Sequence, residues 1–239
     1  MAEIKKIAIT GSKGVLGSTL VDGLDKNEFE VFEIDLPEHD VTDIEDLRQI
    51  LSQQDAVIHC AWKMLGFRNE EFAPEDLIMT YNVYKVSNEL GIKKVVMASS
   101  NHANLYSNRN TQGKLSVDIP PIPDSPYGAA KVYMEALGRF YANKGLPVVC
   151  ARIGNLNAQD KPRPLSEENP QRWLSKRDWI SLVEKCIQQD IPDNFVVLNA
   201  VSKNDKQVFD WSNPLGWEPQ DKVEDNIVKQ ADHFEENLK

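Results

Sequence analysis

The stretch Ile4-Lys5-Lys6-Ile7-Ala8-Ile9-Thr10-Gly11-Ser12-Lys13-Gly14-Val15-Leu16-Gly17 decides how this chain is read. A short apolar run ends in glycines spaced three apart, and the segment after Gly14 reads as a helix to about Leu24. A strand that turns sharply into a helix leaves backbone N–H groups at the positive helix end, and glycine lets a pyrophosphate approach them without meeting a Cβ. The spacing is Gly-x-x-Gly-x-x-Gly rather than the commoner Gly-x-Gly-x-x-Gly, and a glycine turn alone is weak evidence. The next strand, Glu30 to Ile34, stops at Asp35, where an acid that binds a ribose is expected. Together they predict a dinucleotide site built from Gly11, Lys13, Gly14, Val15, Leu16, Gly17 and Asp35. A carboxylate at Asp35 accepts hydrogen bonds from both ribose hydroxyls of NAD and repels the extra phosphate of NADP, so NAD is the expected cofactor. Lys13, a cation in the turn, is the one contrary sign.

Outward from this turn, strands and helices alternate. Asp43 caps a helix to about Ser52, and Ala56 to Cys60 is a strand. A helix from about Pro74 to Leu90 closes at Gly91, and Lys94 to Ala98 is the next strand. Tyr127 to Ala142 is helical, Val148 to Ile153 extended, and Lys176 to Gln189 carries a helical apolar stripe. Phe195 to Asn199 is the last strand expected, and the charged tail from Asp221 reads as a surface helix or an oligomer contact. This order predicts an α/β fold: a Rossmann-type, doubly wound parallel sheet covered on both faces. One domain spans 1–239, with 155–220 supplying most of a small C-terminal substrate-binding portion. The loops His102 to Pro126 and Asn155 to Arg172 are long, as site-building loops are.

At 239 residues, 41% hydrophobic and 27% charged, the chain can bury a core without staples. A net charge of -10 argues against nucleic acid or an anionic membrane as partner and leaves a small molecule. Cys60, Cys150 and Cys186 show no CxxC spacing and read as buried thiols in a reducing compartment. His39, His59, His102 and His233 lack metal-ligand spacing, so no metal is expected. Lys5 and Lys6 lead straight into a strand, which argues against a cleavable signal, and no apolar run approaches membrane length; the cytoplasm is the expected location.

Tyr127 and Lys131 stand one turn apart on one helix face. A free tyrosine titrates at about 10 and is a poor base, but an adjacent ammonium favours its phenolate. Such pairs occur by chance in many helices. Here Pro126 sets Tyr127 at a helix start, and the strand at Lys94 to Ala98 runs into Ser99-Ser100-Asn101-His102 at the carboxyl edge of the sheet, where ligands bind. Ser100 can hold the reacting oxygen while Tyr127 moves its proton and Lys131 assists, which makes an alcohol-to-carbonyl redox site.

At this point the chain resembles the extended, epimerase/dehydratase-like branch of the short-chain dehydrogenase/reductase superfamily. The resemblance rests on the glycine turn, Asp40-Val41, Ile58-His59-Cys60-Ala61, Tyr127-x-x-x-Lys131 and Arg152-Ile153-Gly154-Asn155. It implies that Asp40 and Val41 flank an adenine, and that Cys60, Ala61, Trp62 and Ile153 lie along the cofactor beside Tyr127 and Lys131. A narrower match is similar to uronate dehydrogenases and related sugar dehydrogenases. It is carried by Ala98-Ser99-Ser100-Asn101-His102, by Trp173-Leu174-Ser175 with Asp178, and by Asp210-Trp211-Ser212-Asn213 with Leu215-Gly216-Trp217-x-Pro219.

That likeness implies oxidation of a hexuronate's anomeric hydroxyl to a lactone, with Ser100, Asn101, His102 and Asn155 on the sugar. An arginine in the loop before Trp173 would hold its carboxylate, and both Arg163 and Arg172 are candidates, for either a carboxylate or a sugar phosphate. In the family's Asn-x-x-Gly-Thr-x-Asn pattern, Asp76 stands in place of the first Asn and Met79 in place of the Gly, which puts a contact near Asp76 in doubt. The rival expectations are a sugar-phosphate dehydrogenase, a nucleotide-sugar epimerase or dehydratase, and a non-catalytic NAD(P)-sensing Rossmann protein. Chain length argues against the epimerase, and Ser100, Tyr127 and Lys131 against the sensor. Of the five tryptophans most are expected in packing, and His59 is read as structural.

Overall fold

In the computed structural model, which describes residues 3–63, 71, 73–104, 114–162, 172–204 and 208–223, the opening apolar run becomes β1 (Lys6–Thr10) and the segment after Gly14 becomes α1 (Val15–Gly23). There follow β2 (Glu30–Ile34), α2 (Ile44–Leu51), β3 (Ala56–His59), α3 (Pro74–Leu90) and β4 (Lys94–Ser100). Then come α4 (Pro126–Ala142), β5 (Val148–Ile153), α5 (Lys176–Gln188) and β6 (Phe195–Ala200). The six strands form one parallel sheet in the order β2-β1-β3-β4-β5-β6. Its central strands β3, β4 and β5 are buried at every position, as strands covered on both faces must be. The edge strand β2 exposes Glu30 and Glu33 instead.

One face packs Leu20 of α1 and Trp179, Leu182 and Val183 of α5 against the sheet. The other packs Leu47, Val83, Tyr84 and Met134 from α2, α3 and α4. β1 pairs with β2 on one side and β3 on the other, so the chain leaves it in opposite directions. The carboxyl ends of β1 and β3 therefore flank the crevice in which such sheets bind ligands.

Helix ends follow their capping chemistry. Asp43 Oδ1 accepts from the N–H groups of Glu45 at 2.9 Å and Asp46 at 3.2 Å. Gly91 ends α3 at φ 67, and Ser125 caps α4 by accepting from Gly128 N–H at 3.1 Å.

Two strand boundaries differ by two residues from those expected, and several others by one. β1 begins at Lys6 rather than Ile4, and β4 continues through Ser99 and Ser100, which pair with Arg152 and Ile153 of β5. Ser100 is thus held by the sheet itself.

After β6, short β7 (Lys203–Asn204) and β8 (Lys222–Val223) pair in parallel. Buried Asp178 at the start of α5 anchors this portion, accepting from Ser202 Oγ at 2.6 Å, Gln220 N–H at 2.7 Å and Asp221 N–H at 3.1 Å. Asn213 folds the next loop, donating to Trp211 and Trp217 carbonyls and accepting from Leu215 and Trp217 N–H groups. Trp179 and Trp217 are core residues. Among the described residues no helix is long and apolar enough to cross a membrane. Most of the tail predicted as a helix, like Arg163, lies outside the described residues.

Candidate active site

The glycine turn closes β1 onto its neighbours. Gly11 sits at φ 67, and a Cβ there would fall 2.6 Å from Ala61 N, so only glycine admits this contact. Its N–H donates to Ile34 O at 2.9 Å. A Cβ on Gly17 would lie 2.1 Å from Gly11 O, so α1 rests directly on the turn. Gly14 is the N-cap of α1 and offers no side chain to it, leaving the first helical N–H groups for an anion. Val15 is 40% exposed at this end, and Leu16 is tied down by Trp179 Nε1, which donates to its carbonyl at 3.2 Å.

Asp35 follows β2, its carboxylate accepting from the N–H groups of Lys13 and Leu36, each at 2.8 Å. Lys13 Nζ in turn bonds Leu36 O at 2.8 Å and Glu38 at 2.7 Å. The Glu38 hydrogen bond raises the Lys13 pKa, and that carboxylate screens the cation that suggested NADP. Ser12 Oγ is buried in the turn with no hydrogen-bond partner among the described residues. An uncapped helix end, a cradle only glycine can line, an orphaned hydroxyl and a carboxylate after the second strand suit a dinucleotide.

The loops beyond β2 and β3 are also pinned. Asp40 Oδ1 accepts from Thr42 N–H and Oγ1, and Asn82 of α3 donates to the Val41 and Thr42 carbonyls at 3.0 Å each. Thr10 Oγ1 accepts from Ala61 N–H at 3.4 Å and lies 2.7 Å from Nδ1 of the fully buried His59, whose Nε2 lacks a hydrogen-bond partner among the described residues, so the ring is only half satisfied. Cys60, half-buried, has its thiol pushed up to about 12 by burial, which keeps it protonated.

Tyr127 and Lys131 lie in the first two turns of α4. Lys131 Nζ donates to Ala98 O at 2.7 Å, lies 3.4 Å from the Trp62 ring centre and 5.6 Å from that of Tyr127. Burial pulls Lys131 down to about 7, against the opposing pull of Asp76. Tyr127 is raised by burial, while a hydrogen bond with Ser100 and the charge of Arg172 draw it back. Ser100 Oγ also accepts from His102 N–H at 3.3 Å, which leaves its own proton for the tyrosine. A Cβ on Gly128 would lie 2.1 Å from His102 O, so α4 starts in direct contact with the turn that follows β4.

On the substrate side, His102 packs edge-on against Tyr127 with ring centres 5.7 Å apart. Its Nε2 lies 3.2 Å from Arg172 Nη1. Arg172 is placed by its main chain, whose carbonyl accepts from Asn155 N–H at 2.7 Å. Asn101 is fully buried, and both its amide atoms lack a hydrogen-bond partner among the described residues. Ile153 closes β5 beside this edge at 7% exposure. The structure thus brings Ser100, Asn101, His102, Tyr127, Lys131, Asn155 and Arg172 to one end of the sheet.

Three residues that the sequence did not assign to the site complete the arrangement. Asp76 is 2% exposed and accepts from Lys63 N–H at 2.8 Å, fixing the segment that carries Trp62; what was doubtful at this position is an intact backbone contact. Glu135 binds Arg152 Nε at 2.9 Å and Nη2 at 2.7 Å and accepts from Ser99 at 2.7 Å, locking α4 to β4 and β5. Asp124 grips His102. Glu135 had a signal, since it repeats the four-residue spacing of Tyr127 and Lys131 on one helix face.

Residues 7–176 match the NAD dependent epimerase/dehydratase family. Relatives include L-arabinose 1-dehydrogenase (NAD(P)(+)) of Haloferax volcanii, 29% identical over 90% of this chain and 96% of that protein. Uronate dehydrogenase of Agrobacterium fabrum is 28% identical over 92% of this chain and 86% of its own. A uronate dehydrogenase of Agrobacterium tumefaciens, solved as a mutant complexed with NAD, superposes with TM-score 0.81 at 24% identity, covering 96% of this chain and 89% of that one. With its fold shared and most of its length matched, this chain belongs to the NAD-dependent epimerase/dehydratase family.

Proposed function

We propose that this protein is an NAD-dependent dehydrogenase that oxidises the anomeric hydroxyl of a sugar acid of the hexuronate type to a lactone. The observation that carries the reading is the convergence of Ser100, Tyr127 and Lys131 with the Arg172 cation at one sheet end. The relatives named above, which act on a sugar and on a uronate, support the dehydrogenase chemistry.

NAD held at the glycine turn would supply the acceptor for the hydride that leaves the anomeric carbon. Ser100 orients the reacting hydroxyl, and Tyr127 takes its proton as the carbonyl forms. Lys131, in its protonated form, supplies the neighbouring positive charge that favours the phenolate. Gly11, Gly14 and Gly17 would hold the pyrophosphate, with Lys13, Val15 and Leu16 around it, and Asp35 would hold the adenosine ribose. Asp40 and Val41 would flank the adenine, and Cys60, Ala61, Trp62 and Ile153 would lie along the cofactor. Asn101, His102 and Asn155 meet the sugar, and Arg172 its carboxylate, through the charge-assisted pairing a guanidinium makes with an anion. Asn155 and Arg172 are the contribution of the segment from 155 onward to the substrate pocket.

The test is NADH formation with hexuronates, neutral aldoses and sugar phosphates. Turnover restricted to hexuronates supports the reading. Turnover restricted to sugar phosphates would reassign Arg172 to a phosphate, and no net NADH would point to an epimerase cycle.

A further inference from the structure

Asp124 precedes α4 by two residues, and its side chain is only 6% exposed. Each of its carboxylate oxygens lies 3.0 Å from His102 Nδ1, and its own N–H donates to the His102 carbonyl at 3.3 Å. Ser125 Oγ donates to Oδ1 at 3.0 Å. On the far side of the ring, His102 Nε2 meets Arg172 Nη1 at 3.2 Å. A guanidinium has donors and no acceptor, so Nε2 must present its lone pair. The proton of the neutral ring then sits on Nδ1, where the Asp124 carboxylate accepts it. The opposite tautomer would set N–H against N–H at Arg172 and leave Nδ1 with no proton to donate to Asp124.

We propose that Asp124 is a positioning residue for substrate binding: by selecting the Nδ1–H tautomer of His102 it makes Nε2 the acceptor that orients the Arg172 guanidinium beside Tyr127. His102 Nε2 then serves the arginine, and the ring meets the sugar without an Nε2 proton to donate. Burial pushes the Asp124 carboxyl up, but its hydrogen bonds with His102 and Ser125 hold it below the usual range, so it stays ionised for this task. The proposal rests on the reading of Arg172 as the holder of the substrate carboxylate.

Asp124→Asn tests it, because an amide can donate to Nδ1 as readily as accept from it. The first measurement is the histidine ring 15N spectrum, with the His102 signals assigned by a His102→Gln control. The wild type shows Nδ1 protonated and Nε2 bare, and the variant loses that pattern. The second is steady-state kinetics with glucuronate. The variant raises the glucuronate KM about tenfold, the scale of one weakened charge-assisted bond, with kcat within about twofold and the NAD KM unchanged. An unaltered His102 tautomer overturns the proposal, as does a fall in kcat at constant KM. If the wild type gives no NADH with any hexuronate, the sugar-acid reading fails, and the tautomer comparison still decides the role of Asp124.

Discussion

The Lys131 ammonium lies 3.4 Å from the centre of the Trp62 indole while it donates to the Ala98 carbonyl at 2.7 Å. Lys131 is therefore packed between an aromatic face and a strand end, and the aromatic face offsets part of the cost of burying the charge. The rest of that cost appears in its titration.

Burial lowers Lys131 to about 7, whereas a lysine in an unfolded chain titrates at about 10.4. Below about pH 7 both states are protonated and the folded one bears the whole penalty; from there to about pH 10 the unfolded chain holds more proton, so stability rises with pH. Replacing Lys131 by Met removes this dependence. Urea unfolding of the protein without cofactor should show wild type gaining a few kcal/mol on Lys131→Met between about pH 6 and pH 10. A constant difference across that window contradicts the burial argument.

Ser100 acts on Tyr127 in the opposite direction to burial, which raises the phenol. Sugar oxidation needs the phenolate, so the rate should climb with pH. Ser100→Ala should move that limb to higher pH and lower kcat near neutrality about a hundredfold. A pH–rate profile of the two proteins checks this, and an unshifted limb rules out the hydrogen bond as the cause.

Lys13 is screened by Glu38, and Asp35 caps the same turn. Asp35→Ala with Glu38→Gln removes the repulsion and frees the cation, so the ratio of kcat/KM for NADP over NAD should rise at least about tenfold. An unchanged ratio measured with either cofactor places NAD selection elsewhere.

The Glu135–Arg152 pair is buried, with side-chain exposures of 7% and 2%, and Arg152 Nη1 already lacks a partner among the described residues. Glu135→Ala leaves an uncompensated guanidinium in the core and should cost about 3–5 kcal/mol in chemical denaturation. A loss below about 1 kcal/mol would mean that water or a rearranged neighbour takes over the carboxylate's role.

What could be read in advance was local. The glycine turn, the capping residues Asp43 and Gly91, and the Tyr127–Lys131 spacing all express their chemistry within a few residues of chain. What escaped depends on distant partners. Ser99 and Ser100 look like a loop until Arg152 and Ile153 pair with them, and Asp124 looks like part of a proline-rich loop until His102 comes to meet it. Asp76 looked like a broken motif, although an aspartate accepts the Lys63 N–H well. Polar side chains that close a site across tens of residues leave no periodic trace.

The central claim is that Tyr127 performs proton transfer beside a cofactor site it does not itself create. The most direct test measures Tyr127→Phe twice: NAD affinity by calorimetry, and NADH formation from glucuronate by absorbance. The account predicts NAD affinity close to wild type with turnover reduced at least about a thousandfold. Turnover near wild type would remove Tyr127 from the chemistry.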